Sequence, residues 1–337
     1  MLPELVSQPV EELEARGSPG LRGSEIASIG MCVPDQVVKN ASIAERLGVG
    51  EDWIARRTGV RERRIARPGQ RLTGFAAQAG AEALERSGAN AEDLDLVLVA
   101  TMSADELTPN AAPLVAAELG ARRAGAIDVG AACTAFVSAL GMAAGQIEAN
   151  RAESVLVIGA DLLSRLTDPD DRSTAGLLAD GAGAALVRAT GGRGRIGPVV
   201  LGSDGHRADL ITATHDERLV RMNGHDTFKQ AVSRMSQATM AALSLADRAV
   251  AEVDLFVYHQ ANSRIIQAVA AELGLPADRT ADYVARFGNT SAATIPIALA
   301  VAGQEGRLGD GALVLLAAFG AGLNWGATVV EWGVSHD

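Results

Sequence analysis

Aromatic residues make up only 3% of this 337-residue chain. Single-stranded nucleic-acid surfaces stack bases on aromatic rings, so that function is disfavoured. No basic run stands out and the net charge is −11, so nucleic acid is a poor partner on electrostatic grounds too. Cysteine is scarce: Cys32 and Cys133 are the only two. They make neither a disulfide framework nor a metal-ligand spacing, so no metal is expected and a cytoplasmic, reducing setting fits. No run of about 18 apolar residues occurs, and no membrane span is expected. The N-terminus lacks a basic stretch followed by an apolar one. Residues 1–22, with Glu11, Glu12 and Glu14, read as a short acidic helix or loose extension rather than a signal peptide.

What the chain has instead is apolar content, 48%, and 37 glycines. This length supports two domains or one duplicated domain. Helical patterns alternate with the short apolar runs 96–101, 154–159, 184–187, 255–258, 313–318 and 327–330. Their continuous Val/Leu/Ile character predicts strands covered on both faces, hence an α/β fold. The two halves also resemble each other. Ala83-Leu84 before Asp95-Leu96 matches Ala242-Leu243 before Asp254-Leu255 at an offset of about 159. Gly145-Gln146 before the 155–160 run matches Gly303-Gln304 before the 313–318 run at about 158. Residues 23–190 and 191–337 are therefore expected to be duplicated halves, the first bearing Cys133. At the shorter offset, Cys133 falls opposite Ser291 and Ala132 opposite Thr290.

Four segments carry chemistry. Cys133, in Gly130-Ala131-Ala132-Cys133, stands where a short strand turns into a helix of small residues. Unpaired N–H groups and the helix dipole there favour a thiolate and can stabilise an oxyanion. A lone cysteine is more often structural, and Cys32, in a plain apolar run, is assigned to the core. His259 ends the apolar run 255–258, where α/β sheets gather ligands, and a neutral imidazole there can donate to a carbonyl or move a proton. Asn289, in Gly288-Asn289-Thr290-Ser291, reads on its own as a helix N-cap, although its amide could also serve an enolate oxygen. The segment Phe319-Gly320-Ala321-Gly322 reads on its own as a tight turn that lets backbone N–H groups approach a ligand.

Together these segments resemble the β-ketoacyl-acyl-carrier-protein synthase III family, initiating condensing enzymes of the thiolase superfamily. The resemblance lies in Ala131-Ala132-Cys133, His259-Gln260-Ala261-Asn262-Ser263-Arg264-Ile265 and Gly288-Asn289-Thr290-Ser291-Ala292-Ala293. It extends to Trp53-Ile54 with Arg57-Thr58-Gly59-Val60-Arg61-Glu62-Arg63, and to Asp180-Gly181-Ala182-Gly183-Ala184. It implies a thiolase-like duplicated fold of five αβαβα layers. It further implies an acyl-coenzyme A primer loaded on Cys133 and condensed with malonyl-acyl-carrier protein, initiating fatty-acid synthesis. His259 and Asn289 would hold the malonyl carbonyl and its enolate. The N–H groups of Cys133 and Ala321 would form the oxyanion hole, with Ala321 where the family usually has Gly. Phe319 would exclude water, Trp53, Arg57 and Arg172 would hold coenzyme A, and Arg264 would meet the carrier protein.

Thr108, before Pro109, stands where short-primer members often carry a Phe gating the acyl pocket, which suggests room for a longer or branched primer. Asn324, Leu177 and Ala179 also differ from the commoner family residues. The resemblance implies no cofactor beyond the two thioester substrates, and it implies a homodimer. The alternatives are a starter-unit ketosynthase or acyltransferase of polyketide or secondary-metabolite biosynthesis, and a non-catalytic carrier-binding subunit. A degradative thiolase would need a second cysteine near the C-terminal end.

Overall fold

A computed structural model describes residues 22–191 and 195–333. The expected N-terminal extension lies outside them apart from Arg22. Every apolar run read as a strand is one. The first sheet has the order Gly23–Cys32, Asp180–Thr190, Ser154–Leu162, Leu96–Ala100, Gly125–Val129. In the second, Leu255–Tyr258 pairs with Leu313–Gly320, which pairs with Asn324–Glu331, and the short strands Arg195–Ile196 and Val200–Ser203 both add to the latter. In each sheet a parallel pair is followed by an antiparallel one: 96–100 with 154–162 and then 180–190, and 255–258 with 313–320 and then 324–331.

Among the strands with no counterpart in the sequence reading, Gly23–Cys32 is the longest. Gly23–Cys32 carries Ser24, Glu25 and Ser28, all buried, and these break its apolar pattern. Partners from elsewhere satisfy them. Ser28 Oγ donates to the Ala83 carbonyl at 2.6 Å, Ser24 Oγ to Glu148 at 3.1 Å, and Glu25 accepts from Arg188 at 3.0 Å. Such long-range pairings are invisible to a local pattern. Cys32, at the end of this strand, is half-buried beside Gln78 rather than a full core residue.

The layers follow from which helix faces are apolar. The helices Ala135–Glu148 and Thr294–Gln304 pack between the sheets and touch both. Residues 294–302 are all buried, as expected of a helix without a polar face. Leu72–Ser87 covers the outer face of the first sheet, while Gly224–Leu245 and Ser263–Leu273 cover the second. The order is αβαβα, the thiolase-like architecture.

Glycines set how closely these layers approach. A Cβ on Gly183 would lie 2.9 Å from the Ile297 backbone nitrogen, and one on Gly159 would lie 2.3 Å from the Ala292 carbonyl oxygen. The Gly-Ala-Gly-Ala run after Asp180 thus lets the second half's central helix rest on the first half's sheet. Gly159→Ala is expected to cost about 1–3 kcal/mol, because the clash is with backbone that cannot rotate away. Gly145→Ala, in a helix and with nothing near the added carbon, is expected to gain about 0.5–1 kcal/mol. Urea unfolding of the two variants checks the pair; equal shifts would contradict the packing account.

Candidate active site

Cys133 follows the edge strand Gly125–Val129 and sits in a 3-10 turn, Ala132–Thr134, two residues before the helix that starts at Ala135. Ala132 adopts φ +46°. The second half repeats this device: Ser291, φ +51°, opens the turn Ser291–Ala293, and the helix starts at Thr294. The two turns pack against each other. The structural correspondence is therefore Ala132 with Ser291 and Ala135 with Thr294, and Leu96 with Leu255 agrees with it. The shorter sequence offset is corrected by one residue: Cys133 lies opposite Ala292, not Ser291. The buried Asp161 joins the halves here, accepting the Ala292 N–H at 3.2 Å on one oxygen. Its other oxygen accepts from Met102 N–H and from the Thr101 and Ser103 hydroxyls at 2.7–3.0 Å.

His259 directly follows the strand Leu255–Tyr258, and its N–H donates to Ala317 of the neighbouring strand at 2.8 Å. Its ring is buried, with Nδ1 2.6 Å from Thr294 Oγ1. Burial away from water holds the imidazole neutral, its pKa lowered to about 3. Asn289 is buried and fixed by backbone bonds to Leu177 and Ala179, each 2.9 Å. Its Oδ1 accepts the Ser291 N–H at 2.8 Å. Its oxygen thus behaves like the cap the sequence suggested, while its two Nδ2 hydrogens have no protein partner among the described residues.

Gly320 ends the strand Leu313–Gly320 against Cys133: a Cβ there would sit 2.9 Å from both the Cys133 nitrogen and Cβ. Phe319 is buried, and Ala321 keeps a negative φ, so its side chain is tolerated where glycine was expected. The Ala321 carbonyl accepts from Asn324 Nδ2 at 2.8 Å, which orients that stretch of backbone.

Cys133, His259, Asn289, Phe319 and Ala321 line one cavity of about 760 Å³. Trp53, Arg57, Arg172 and Arg264 line it too. Arg57 stacks 4.6 Å from the Trp53 ring centroid. Arg172 is held by the carbonyl of Leu47, at the end of the helix Asn40–Leu47. Arg264 lies 5.9 Å over Phe228. His225 and Lys229 add to this basic lining, and no Asp or Glu among the described residues joins it. In a chain of net charge −11, that is a local reversal of sign suited to an anionic ligand.

Two expectations are corrected. The helix start does not lower the Cys133 thiol: loss of hydration outweighs the neighbouring donors and pushes it up to about 12. Thr108 is exposed and lines no part of this cavity within the chain. Sequence reasoning missed Thr294, His225, Phe228 and Lys229. Thr294 had a signal, since it is a hydroxyl where the internal repeat has Ala135.

The buried imidazole has a consequence for stability. His259 titrates near 6.5 when unfolded and near 3 when folded, so in that window the unfolded chain binds the extra proton. Stability is full above pH 6.5 and falls with acid by about 1.4 kcal/mol per pH unit from this group. Urea unfolding at pH 7.5 and 4.5 is expected to show that loss reduced in His259→Gln; an unchanged acid limb would contradict a buried neutral ring.

Residues 127–205 match the family model of 3-oxoacyl-[acyl-carrier-protein] synthase III, and residues 243–332 match that of its C-terminal part. The chain is 43% identical to β-ketoacyl-[acyl-carrier-protein] synthase III 2 of Streptomyces coelicolor, over 94% of this chain and 96% of that one. The chain belongs to the synthase III family. This synthase III is accordingly an acyltransferase, a condensing enzyme of the β-ketoacyl synthase III type. Its fold matches the crystal structure of 3-oxoacyl-(acyl carrier protein) synthase III from Pseudomonas aeruginosa with a TM-score of 0.89 and 40% identity, covering 93% of this chain and 99% of that one. It also matches the priming β-ketosynthase of the R1128 polyketide pathway, with a TM-score of 0.90, 34% identity and coverage of 94% and 98%. No helix among the described residues of this synthase III is long and apolar enough to cross a membrane.

Proposed function

We propose that this synthase III condenses an acyl-coenzyme A primer with malonyl-acyl-carrier protein by decarboxylation, through an acyl-thioester on Cys133, and so initiates fatty-acid synthesis. The supporting observation is one cavity that joins a thiol, a neutral imidazole and a carboxamide with free N–H hydrogens to a basic lining without carboxylates. The coenzyme A phosphates would meet Arg57 and Arg172, with Trp53 available to stack the purine. The acidic carrier protein would meet Arg264. Attack by Cys133 sulfur on the thioester carbonyl releases coenzyme A, and the N–H groups of Cys133 and Ala321 receive the oxyanion. In the second step the malonyl carboxylate leaves as carbon dioxide. The electron pair left on the α-carbon attacks the acyl carbonyl, the carbon–sulfur bond to Cys133 breaks, and the departing thiolate takes up one proton from solvent, its own having left with coenzyme A. Asn289 and His259 sit where the thioester oxygen gathers charge, and Phe319 keeps water from quenching it.

We further propose a cytoplasmic homodimer in which residues 23–190 and 191–337 act as paired halves. Likeness to the R1128 priming ketosynthase supports a second reading, a starter-unit enzyme of polyketide assembly. Thr108, smaller than the Phe common at that place, would bear on primer length only by reaching the cavity of the second copy in the proposed homodimer, since it lines none of its own chain's. Intact-mass analysis after mixing with acyl-coenzyme A of graded chain length tests both. An adduct at Cys133 is expected, and the chain lengths accepted separate a short primer from a long one. No adduct with any donor would remove the proposal.

A further inference from the structure

Ser291 carries a hydroxyl that its own turn does not use. The residue is fully buried, and Oγ completes no hydrogen bond among the described residues. Native chains rarely leave a buried hydroxyl so, because the water it gave up is not replaced. The backbone has no need of it. The matching place in the first half is Ala132, which holds φ +46° beside the +51° of Ser291 with a methyl group alone. The rest of the turn's work falls to main-chain groups: the Ser291 N–H orients Asn289, and the Ser291 carbonyl accepts from Thr294.

What the hydroxyl faces is the nucleophile. Ser291 and Cys133 line the same cavity, on two turns that pack against each other. Burial and the charge of Asp161 push the thiol up, while Ser291 and the Cys133 backbone draw it down. Burial raises Asp161 as well, and the same hydroxyl is among the groups that hold it down. Asp161 Oδ2 accepts the Ala292 N–H at 3.2 Å, and a carboxyl oxygen has room for a second donor. The Ser291 hydroxyl therefore stands between a sulfur and a carboxyl, with one proton to give. The His259 ring is neutral, with Nδ1 engaged by Thr294. Arg57, Arg172, Arg264, His225 and Lys229 line the wider cavity.

We propose that Ser291 is a catalytic residue whose hydroxyl swings from Asp161 Oδ2 to the Cys133 sulfur whenever that sulfur carries charge. The inference rests on the acyl-transfer reading above. During acylation the S–H bond breaks, the sulfur bonds to the thioester carbon, the carbon–sulfur bond to coenzyme A breaks, and the proton leaves with coenzyme A. Ser291 keeps its own proton throughout and only redirects it. It points to the sulfur while that is a thiolate, and back to Asp161 once the acyl group has taken up the charge. During condensation the departing thiolate receives the same hydroxyl until a proton arrives from solvent. A hydrogen bond to a charged sulfur is stronger than one to a neutral thiol, so the donor helps the transition state more than the resting enzyme. One hydroxyl thus serves both attack and departure, whereas the Asn289 carboxamide serves only the enolate.

Ser291→Ala deletes the hydroxyl and keeps the N–H and carbonyl on which Asn289 and Thr294 depend. Its thermal midpoint is expected to equal or exceed that of the wild type, since no structural hydrogen bond is lost. Alkylation of Cys133 by iodoacetamide, which needs no substrate, should slow about 10-fold, with its rise displaced to higher pH. Cys133 acylation, timed by intact mass with whichever acyl-coenzyme A of a graded series modifies the wild type fastest, should also slow about 10-fold. Ser291→Gly relieves the positive φ and likewise lacks the hydroxyl, so it should behave as Ser291→Ala does. A wild-type alkylation profile together with a wild-type acylation rate in either folded variant overturns the proposal. Should both variants fail to fold, the hydroxyl is structural and the proposal falls. A wild-type protein that takes up no acyl group would remove the acyl-transfer reading. The alkylation profiles of the wild type and Ser291→Ala would then support or overturn the contact between Ser291 and the sulfur by themselves.

Discussion

Cys133→Ala is expected to abolish acyl uptake: after incubation with any acyl-coenzyme A that modifies the wild type, its intact mass stays unchanged. Condensation should fall by roughly 10³-fold or more, since no other residue can carry the covalent intermediate. Cys32, the only other cysteine, ends the strand Gly23–Cys32, does not line the cavity, and has its own thiol pushed up to about 11 by burial and the nearby Asp35 and Glu82. Removing one sulfur from a half-buried site leaves the fold intact, so the thermal midpoint should move by only a few degrees, about what 1 kcal/mol does in a domain of this size. An acyl adduct on the folded Ala variant would refute the nucleophile assignment. The raised thiol adds a chemical signature. Alkylation of Cys133 by iodoacetamide should stay slow at neutral pH and keep rising through pH 9 towards about 12.

Asn289→Ala separates the two half-reactions. The variant should still take up the acyl group on Cys133, within about threefold of the wild-type rate, because the carboxamide has no part in the first attack. Product formation from malonyl-carrier protein should fall about 10²–10³-fold, the usual cost of deleting one donor to a developing oxyanion. Part of the loss would reflect geometry, since Oδ1 also holds the Ser291 N–H at 2.8 Å. Asn289→Asp distinguishes the two effects: it keeps an oxygen for Ser291 and loses the donor, so it should condense as poorly as Asn289→Ala. Normal product yield from either variant would argue against the enolate role.

Several features were legible in the sequence because they are local. The runs 96–101, 255–258 and 313–318 are continuous apolar stretches, and a strand covered on both faces has no other way to be written. Cys133 and His259 were found at ends of strands for the same reason: the change from apolar run to small or polar residues is visible in order along the chain. The repeat was legible too, though one of its two offsets was a residue short, because a loop of different length hides where the register resumes. What failed was whatever depends on partners far away. The strand Gly23–Cys32 is hidden by buried polar residues whose partners come from other elements. The Cys133 thiol was expected to be lowered by its helix, yet the helix starts two residues later and the packing around the sulfur decides the matter.

By itself, the amino-acid order determined the α/β class, the duplication and the residue types that carry the chemistry, since periodicity and composition are properties of neighbours along the chain. Tertiary structure alone decided that the thiol of one half shares a cavity with the imidazole and carboxamide of the other. It also set the charge around that cavity and left one carboxamide with hydrogens to give. Those outcomes depend on solvent exclusion and on contacts between residues more than a hundred positions apart, and neither quantity exists until the two sheets close over the paired central helices.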